Sequence, residues 1–367
     1  MGTKFYRPAR SYPPILPTND VIINAPPVLQ PTQTGFVGLL QYLLPAVGGM
    51  GSLIFVFAYH ENLLLVIAGI TMAVCSVGGG ITMGIVQRYS QKKRLKQQRN
   101  RYLEYLAQHR TRLKSLAYKQ HAVSERLYPG YEKIAAWMEQ RTYLWERRPF
   151  DGDFLTVRIG LGPAPLCCRV ALDLSTDMMV EYIPELRSQA EALVDKWRFL
   201  NDMPALIPLR SIGVLAINGR RSDTRALVRA LLCQIVAFQS PEDVRCMVYF
   251  PQESVSEWSW LKWLPHVRRL RQVKAEKQYA PDHLCMLAHT VEDVNSLLLH
   301  QIKPELDRRR RLSEDKEKLQ SASSQTTLPH LFVVLDPFSP FNKLGQLPEL
   351  DVLFRDAAKF GVTVICL

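Results

Sequence analysis

The stretch NGRRSDTRALVRAL (218–231) directly follows the apolar run SIGVLAI (211–217). A buried strand, a glycine, a polar turn and an amphipathic helix occur in that order in a phosphate-binding loop, whose full pattern is G-x-x-x-x-G-K-[ST]. There the glycines let backbone N–H groups wrap the phosphates, the lysine neutralises the terminal ones and the hydroxyl holds Mg²⁺. With Gly219 as the first glycine, Thr224 stands at the second, Arg225 at the lysine and Ala226 at the hydroxyl. Thr224 carries a Cβ that disfavours the positive φ a glycine accepts. Arg225 keeps the charge but not the compact ammonium, and Ala226 cannot ligate a metal. Asp336 ends the apolar run LFVVLD (331–336), where a magnesium-organising aspartate is expected, and Pro337 follows where an acid would polarise water. These residues keep the shape of a phosphate cradle without its metal chemistry. The expectation is weak ATP binding at most, no tightly bound cofactor and no efficient hydrolysis.

Other residues with chemical potential are less specific. Arg308 to Arg311 could supply an arginine finger to a neighbouring subunit, although four arginines at a helix end are more often surface charge. GLG (160–162) lacks a third glycine and reads as a turn between strands. In EWSWLKWLPHVRRL (257–270), Trp258, Trp260 and Trp263 fall within six residues of a short helix ended by Pro265. They are either a packed edge or a partner surface, since tryptophan concentrates binding energy at interface centres. The seven cysteines contain no C-x-x-C and the eight histidines no ligand spacing. A reducing compartment and the absence of a structural or catalytic metal are the expectations.

The elements that must position these residues begin near 151. From there to 367, strand-like DFLTVRIGLG, CCRVALDL, SIGVLAI, VRCMVYF, LFVVLD and VTVICL alternate with helical segments, which implies a largely parallel sheet covered on both faces. Residues 1–35 are proline-rich and suit extended or polyproline structure, not a signal peptide. Two uncharged runs of 24 residues, 36–59 and 63–86, each exceed the roughly 20 residues that cross a bilayer. Only His60, Glu61 and Asn62 lie between them, so a transmembrane hairpin over 36–87 is expected. Net charge is +12, and 88–148 alone holds 16 Lys/Arg against 5 Asp/Glu. Beside a span such a segment faces the cytoplasm and anionic lipid, a reading favoured over nucleic acid because no base-reading module accompanies it. Leu95, Leu103, Leu106, Leu113 and Leu116 recur at helical intervals, YPG (128–130) breaks the helix, and 131–145 forms another, so 88–150 reads as a basic helical stalk.

Taken together, RPARSYPP, the paired apolar runs, the basic helix, DFLTVRIGLGPAP, the altered loop and WSWLKWLPH resemble the N-terminal portion of the EccC/EssC family, the FtsK/SpoIIIE-like membrane ATPases of type VII secretion systems. The resemblance runs over essentially the whole chain. It implies a RecA-like, P-loop NTPase-like domain with a degenerate nucleotide site at 151–367, behind a two-helix transmembrane hairpin and a stalk. It also implies a cell-membrane protein with two spans and both termini cytoplasmic, present as a homo-oligomer. The implied partners are other membrane subunits of the secretion complex and, through further domains, exported helical-hairpin proteins of the W-x-G type. The implied function is to couple ATPase-domain motions to the membrane channel. Competing readings are a fragment of an FtsK-like DNA translocase and a nucleotide-independent membrane scaffold.

Overall fold

HLFVVL (His330–Leu335, β8) and VTVIC (Val362–Cys366, β9) are buried at every position. Strands with no exposed face need neighbours at both edges and cover on both sides, the condition of a central parallel strand. The computed structural model describes residues 7, 9–29, 63–177, 180–269, 285–319 and 328–367. Among these, β8 and β9 are central in a five-stranded sheet of order β5-β9-β8-β6-β7, with β5 Val214–Ala216, β6 Val244–Tyr249 and β7 Leu287–Ala288. Every pairing in it is parallel.

Alternation along the strands divides the core in two. Leu331, Val333 and Leu335 of β8 pack in one cluster, Phe332 and Val334 in the other. The first cluster is covered by α6 (Val291–Leu297), α7 (Lys303–Leu319) and α8 (Pro348–Asp356). The second is covered by α4 (Arg221–Phe238), through Val228, Leu231, Leu232 and Ile235. That spacing gives one apolar stripe, and each side chain contributes roughly 1.5–3 kcal/mol on burial. The stripe holds α4 in place although its N-cap, Arg220, makes no side-chain capping bond. The β5–α4 connection therefore delivers Gly219 to Arg225 to the carboxyl end of the sheet, where β8 also delivers Asp336.

The chain divides into two compact units, and this sheet lies in the first, which takes in residues 1–15, 121–164 and 201–367. The N-terminal arginines are built into it. Arg7 donates to the Trp145 and Arg147 carbonyls at 2.5 Å each and pairs with Asp243 at 2.7 Å. Arg10 pairs with Asp151 at 2.7 Å and Asp153 at 2.6 Å. Buried Arg147 also reaches Asp153, and donates to the carbonyls of Thr156 and Leu127. GLG (160–162) is no turn: it lies inside β2 (Thr156–Pro165), which pairs with β4 (Phe199–Pro208). α2 (Tyr131–Glu139) is shorter than its sequence suggests, because Arg141, Tyr143 and Trp145 take positive φ and wind the chain into turns.

The second unit comprises 16–120 and 165–200. Its centre is α1 (Leu63–Leu127) from Tyr102 to Leu116, packed with α3 (Pro184–Lys196) through Leu186, Ala190 and Leu193. Within the proline-rich segment, VIIN (Val21–Asn24) forms β1 and pairs in parallel with β3 (Val170–Asp173). Tyr102 donates to the Asn24 carbonyl at 2.9 Å, and the Asn24 N–H donates to Tyr105 at 3.0 Å.

The expected two-helix transmembrane hairpin is corrected here. Among the described residues no helix is long and apolar enough to cross a membrane. The run 36–59 lies outside the described residues. The run 63–86 is not a bounded element: it opens a 65-residue helix that continues without a break into the charged segment. The two-span membrane localisation rested on that hairpin and falls with it.

Candidate functional site

At the carboxyl end of the sheet, the side chain of Arg225 turns inward from the first turns of α4, and each guanidinium nitrogen donates to the protein. Nε donates to Asp336 Oδ2 at 2.7 Å, Nη1 to Glu257 Oε1 at 2.8 Å and Nη2 to Ser254 Oγ at 2.6 Å. Trp258 Nε1 donates to the same Asp336 oxygen at 2.8 Å. The pair is enclosed, with side-chain exposures of 9% for Arg225 and 1% for Asp336. Arg229 approaches the other Glu257 oxygen at 3.4 Å. A buried ion pair is tolerable when the remaining donors and acceptors are hydrogen-bonded as well; Glu257, Ser254 and Trp258 supply those bonds.

The loop leading into this cluster is closed against its own helix. Gly219 does not take a positive φ, and a Cβ built on it would stand 3.3 Å from Thr224 Cγ2. Thr224 is buried and its hydroxyl donates to the Arg221 carbonyl at 3.1 Å, inside the helix. Ala226 is exposed. Asp336 Oδ1 is buried without a hydrogen-bond donor, and Arg221 Nη2 lies 3.8 Å from it. The residues present do not fit a magnesium ion. Its expected carboxylate is already neutralised by a guanidinium, and no hydroxyl stands at position 226 to share the metal. Among the described residues no group of three His, Cys, Asp or Glu could hold a metal ion.

Gly219, Thr224, Arg225 and Asp336 thus converge on one corner, and Trp258 joins them. Trp258 is fully buried and stacks with Phe250 at 6.3 Å between ring centroids. Trp260 is half-buried, its N–H donating to the Glu257 carbonyl at 3.1 Å, and Trp263 is 80% exposed. The segment carrying them is a short helix, Val255–Trp258 (α5), followed by two 3₁₀ turns. Ser254 and Glu257 were missed in the sequence because they lie 29 and 32 positions from Arg225 and match no loop pattern. The only hint was an acid heading the tryptophan-rich run.

The four arginines at 308–311 are not equivalent. Arg309 is buried, bonds Glu305 at 3.2 Å and donates to the Phe360 and Gly361 carbonyls. Arg310 pairs with Asp356 at 3.1 Å, and Arg308 lies 3.6 Å from Glu305.

No family model matches the chain. Its relatives nevertheless agree on one identity. The ESX secretion system protein EccC of Thermomonospora curvata is 31% identical over 298 residues, 81% of this chain and 22% of that protein. The ESX secretion system protein EccC of Geobacillus thermodenitrificans is 27% identical over 281 residues, 76% of this chain and 17% of its own length. Among solved structures, the cytoplasmic domain of the Thermomonospora curvata type VII secretion ATPase EccC aligns with a TM-score of 0.36 at 19% identity, covering 61% of this chain and 22% of that one. The chain spans about a fifth of the length of the curated relatives it matches. By sequence similarity sustained over about four fifths of its length, the chain belongs to the EccC/EssC family of type VII secretion systems.

Proposed function

We propose that this chain is an assembly and coupling module of a type VII protein secretion machine. Residues 151–367 form its degenerate FtsK/SpoIIIE-like ATPase domain, kept for shape and not for turnover. The observation that carries this reading is the Arg225–Asp336 pair, which uses internally the carboxylate that a hydrolytic site would keep for its metal. ATP then binds weakly at most, through the exposed Arg220 and Arg221 at the start of α4. Hydrolysis and export are the work of other parts of the machine. Partners on this reading are other subunits of the secretion complex, with exported W-x-G-type proteins engaged outside this chain. Exposed Trp263 is the residue proposed to meet a neighbour, while enclosed Trp258 serves the Arg225 cluster.

Calorimetric titration of Mg-ATP into the whole chain tests the reading. The expected result is no saturable magnesium-dependent binding tighter than about 1 mM, a free energy of about −4 kcal/mol. Micromolar binding that EDTA abolishes would refute it.

A further inference from the structure

α7 is entered through a π-helical turn, Leu298–Ile302, and such widened turns recur at functional sites. Beside the turn opens a groove of about 540 Å³. Leu299 and Leu312 flank, along the helix, the charged lining residues Lys303, Asp307, Arg308 and Arg311. Positions 303, 307 and 311 repeat every fourth residue and so form one stripe of the helix surface.

The charges in this stripe are not consumed at home. Arg309 is turned into the fold and Arg310 is held by Asp356. Lys303 and Arg311 are exposed and have no acidic partner among the described residues, while Arg308 is only loosely held at 3.6 Å. The groove therefore offers three cations against one acid, Asp307, with an apolar side chain at each end of the run.

We propose that this groove docks an acidic amphipathic helical segment of a partner protein. Lys303 and Arg311 stand eight residues apart, about 12 Å along the helix, so carboxylates at i, i+8 spacing, with an uncharged residue opposite Asp307, would meet them, and apolar residues of the same face would meet Leu299 and Leu312. A nucleic acid fits worse: Asp307 would face the phosphates, and the lining has no aromatic ring on which a base could stack. The proposal is independent of the nucleotide reading, because the groove lies on α7 and shares no residue with the Arg225 cluster.

The test uses the whole chain and a fluorescein-labelled synthetic helical peptide with Glu at i and i+8, Gln at i+4 and Leu on the same face, read by anisotropy. Expected is saturable binding that K303E/R311E weakens about tenfold or more, that R311Q weakens less, and that L312S weakens several-fold with every charge intact. A lysine-for-glutamate version of the peptide should not bind. Unchanged affinity in K303E/R311E, with an unshifted melting curve, overturns the proposal. Equal binding of a glutamate peptide lacking leucine, or equal competition by inorganic tripolyphosphate, also overturns it, because either reduces the effect to general attraction of anions.

Discussion

Replacing Arg225 by methionine keeps most of the stem and removes the guanidinium. Asp336, 1% exposed, is then left with the Trp258 N–H as its one close donor, since Oδ1 already lacks one. Breaking a buried pair from one side costs about 3–5 kcal/mol, because the remaining charge stays desolvated. The reciprocal change, Asp336→Leu, leaves Arg225 with Glu257 at 2.8 Å and Ser254 at 2.6 Å, but strands both the Arg225 Nε–H and the Trp258 N–H, at about 1–3 kcal/mol each. The double variant removes both charges and should recover most of the loss, as apolar replacement of a buried pair is often neutral or better. Thermal melting followed by near-ultraviolet circular dichroism reads the cycle. At about 2–4 °C per kcal/mol for a unit of this size class, Arg225→Met should melt roughly 6–20 °C below the parent. A drop of less than about 2 °C in Arg225→Met, or a double variant no better than the sum of the singles, would show that the pair is not the keystone argued here.

Arg10→Ala should release the N-terminal segment from the first unit. It removes a guanidinium 6% exposed against Asp151 and Asp153, at a cost of about 3–5 kcal/mol. Hydrogen exchange of residues 9–15 would then speed up, and unchanged protection would contradict the anchoring role. Stability should also fall in acid. Burial holds His266 down to about 4, outweighing its hydrogen bond to the Gln239 carbonyl. It holds His330 down to about 3, with Arg309 and Arg210 adding to the effect. Both folded values lie below the unfolded value of about 6.5, so the unfolded chain takes up protons first. Stability is therefore full above about pH 6.5, is lost as pH falls toward 4 and then 3, and is not lost further through these groups below that, each contributing on the order of 3 kcal/mol. Urea unfolding at stepped pH checks it: His330→Gln should flatten part of the slope, and a flat parent profile between pH 6.5 and 4.5 would contradict the assignment.

The strands that carry the site were legible because β6, β8 and β9 are apolar runs bounded by polar turns, a pattern that only a covered parallel sheet explains. α4 was legible from Val228, Leu231, Leu232 and Ile235 at helical spacing. Three things were not. VIIN at 21–24 is too short to stand out from prolines, and its partner, β3, lies about 150 positions away. The GLG at 160–162 resembles a turn in isolation, yet extended pairing with β4 overrides the local preference. The π turn at Leu298–Ile302 has no residue signature, since it depends on how α7 seats Leu306 and buried Arg309 in the core.

The site itself was legible as a set of losses and illegible as an arrangement. Read along the chain, Arg225 is an imperfect lysine and Asp336 an aspartate without its catalytic neighbour, two independent departures. In the fold they are one feature, since the Arg225 guanidinium bonds directly to the Asp336 carboxylate. The planar fork makes this possible: three N–H groups point to Asp336, Glu257 and Ser254 at once, which a lysine ammonium on the same stem could not match in geometry. Recruitment of Trp258 to Asp336 follows from the same need to satisfy a buried charge. That explains why the tryptophan-rich run begins against Asp336. On the proposed reading these bonds hold the corner shut, so Ala226→Ser or Thr224→Gly alone should leave the Arg225–Asp336 pair in place and Mg-ATP binding no tighter.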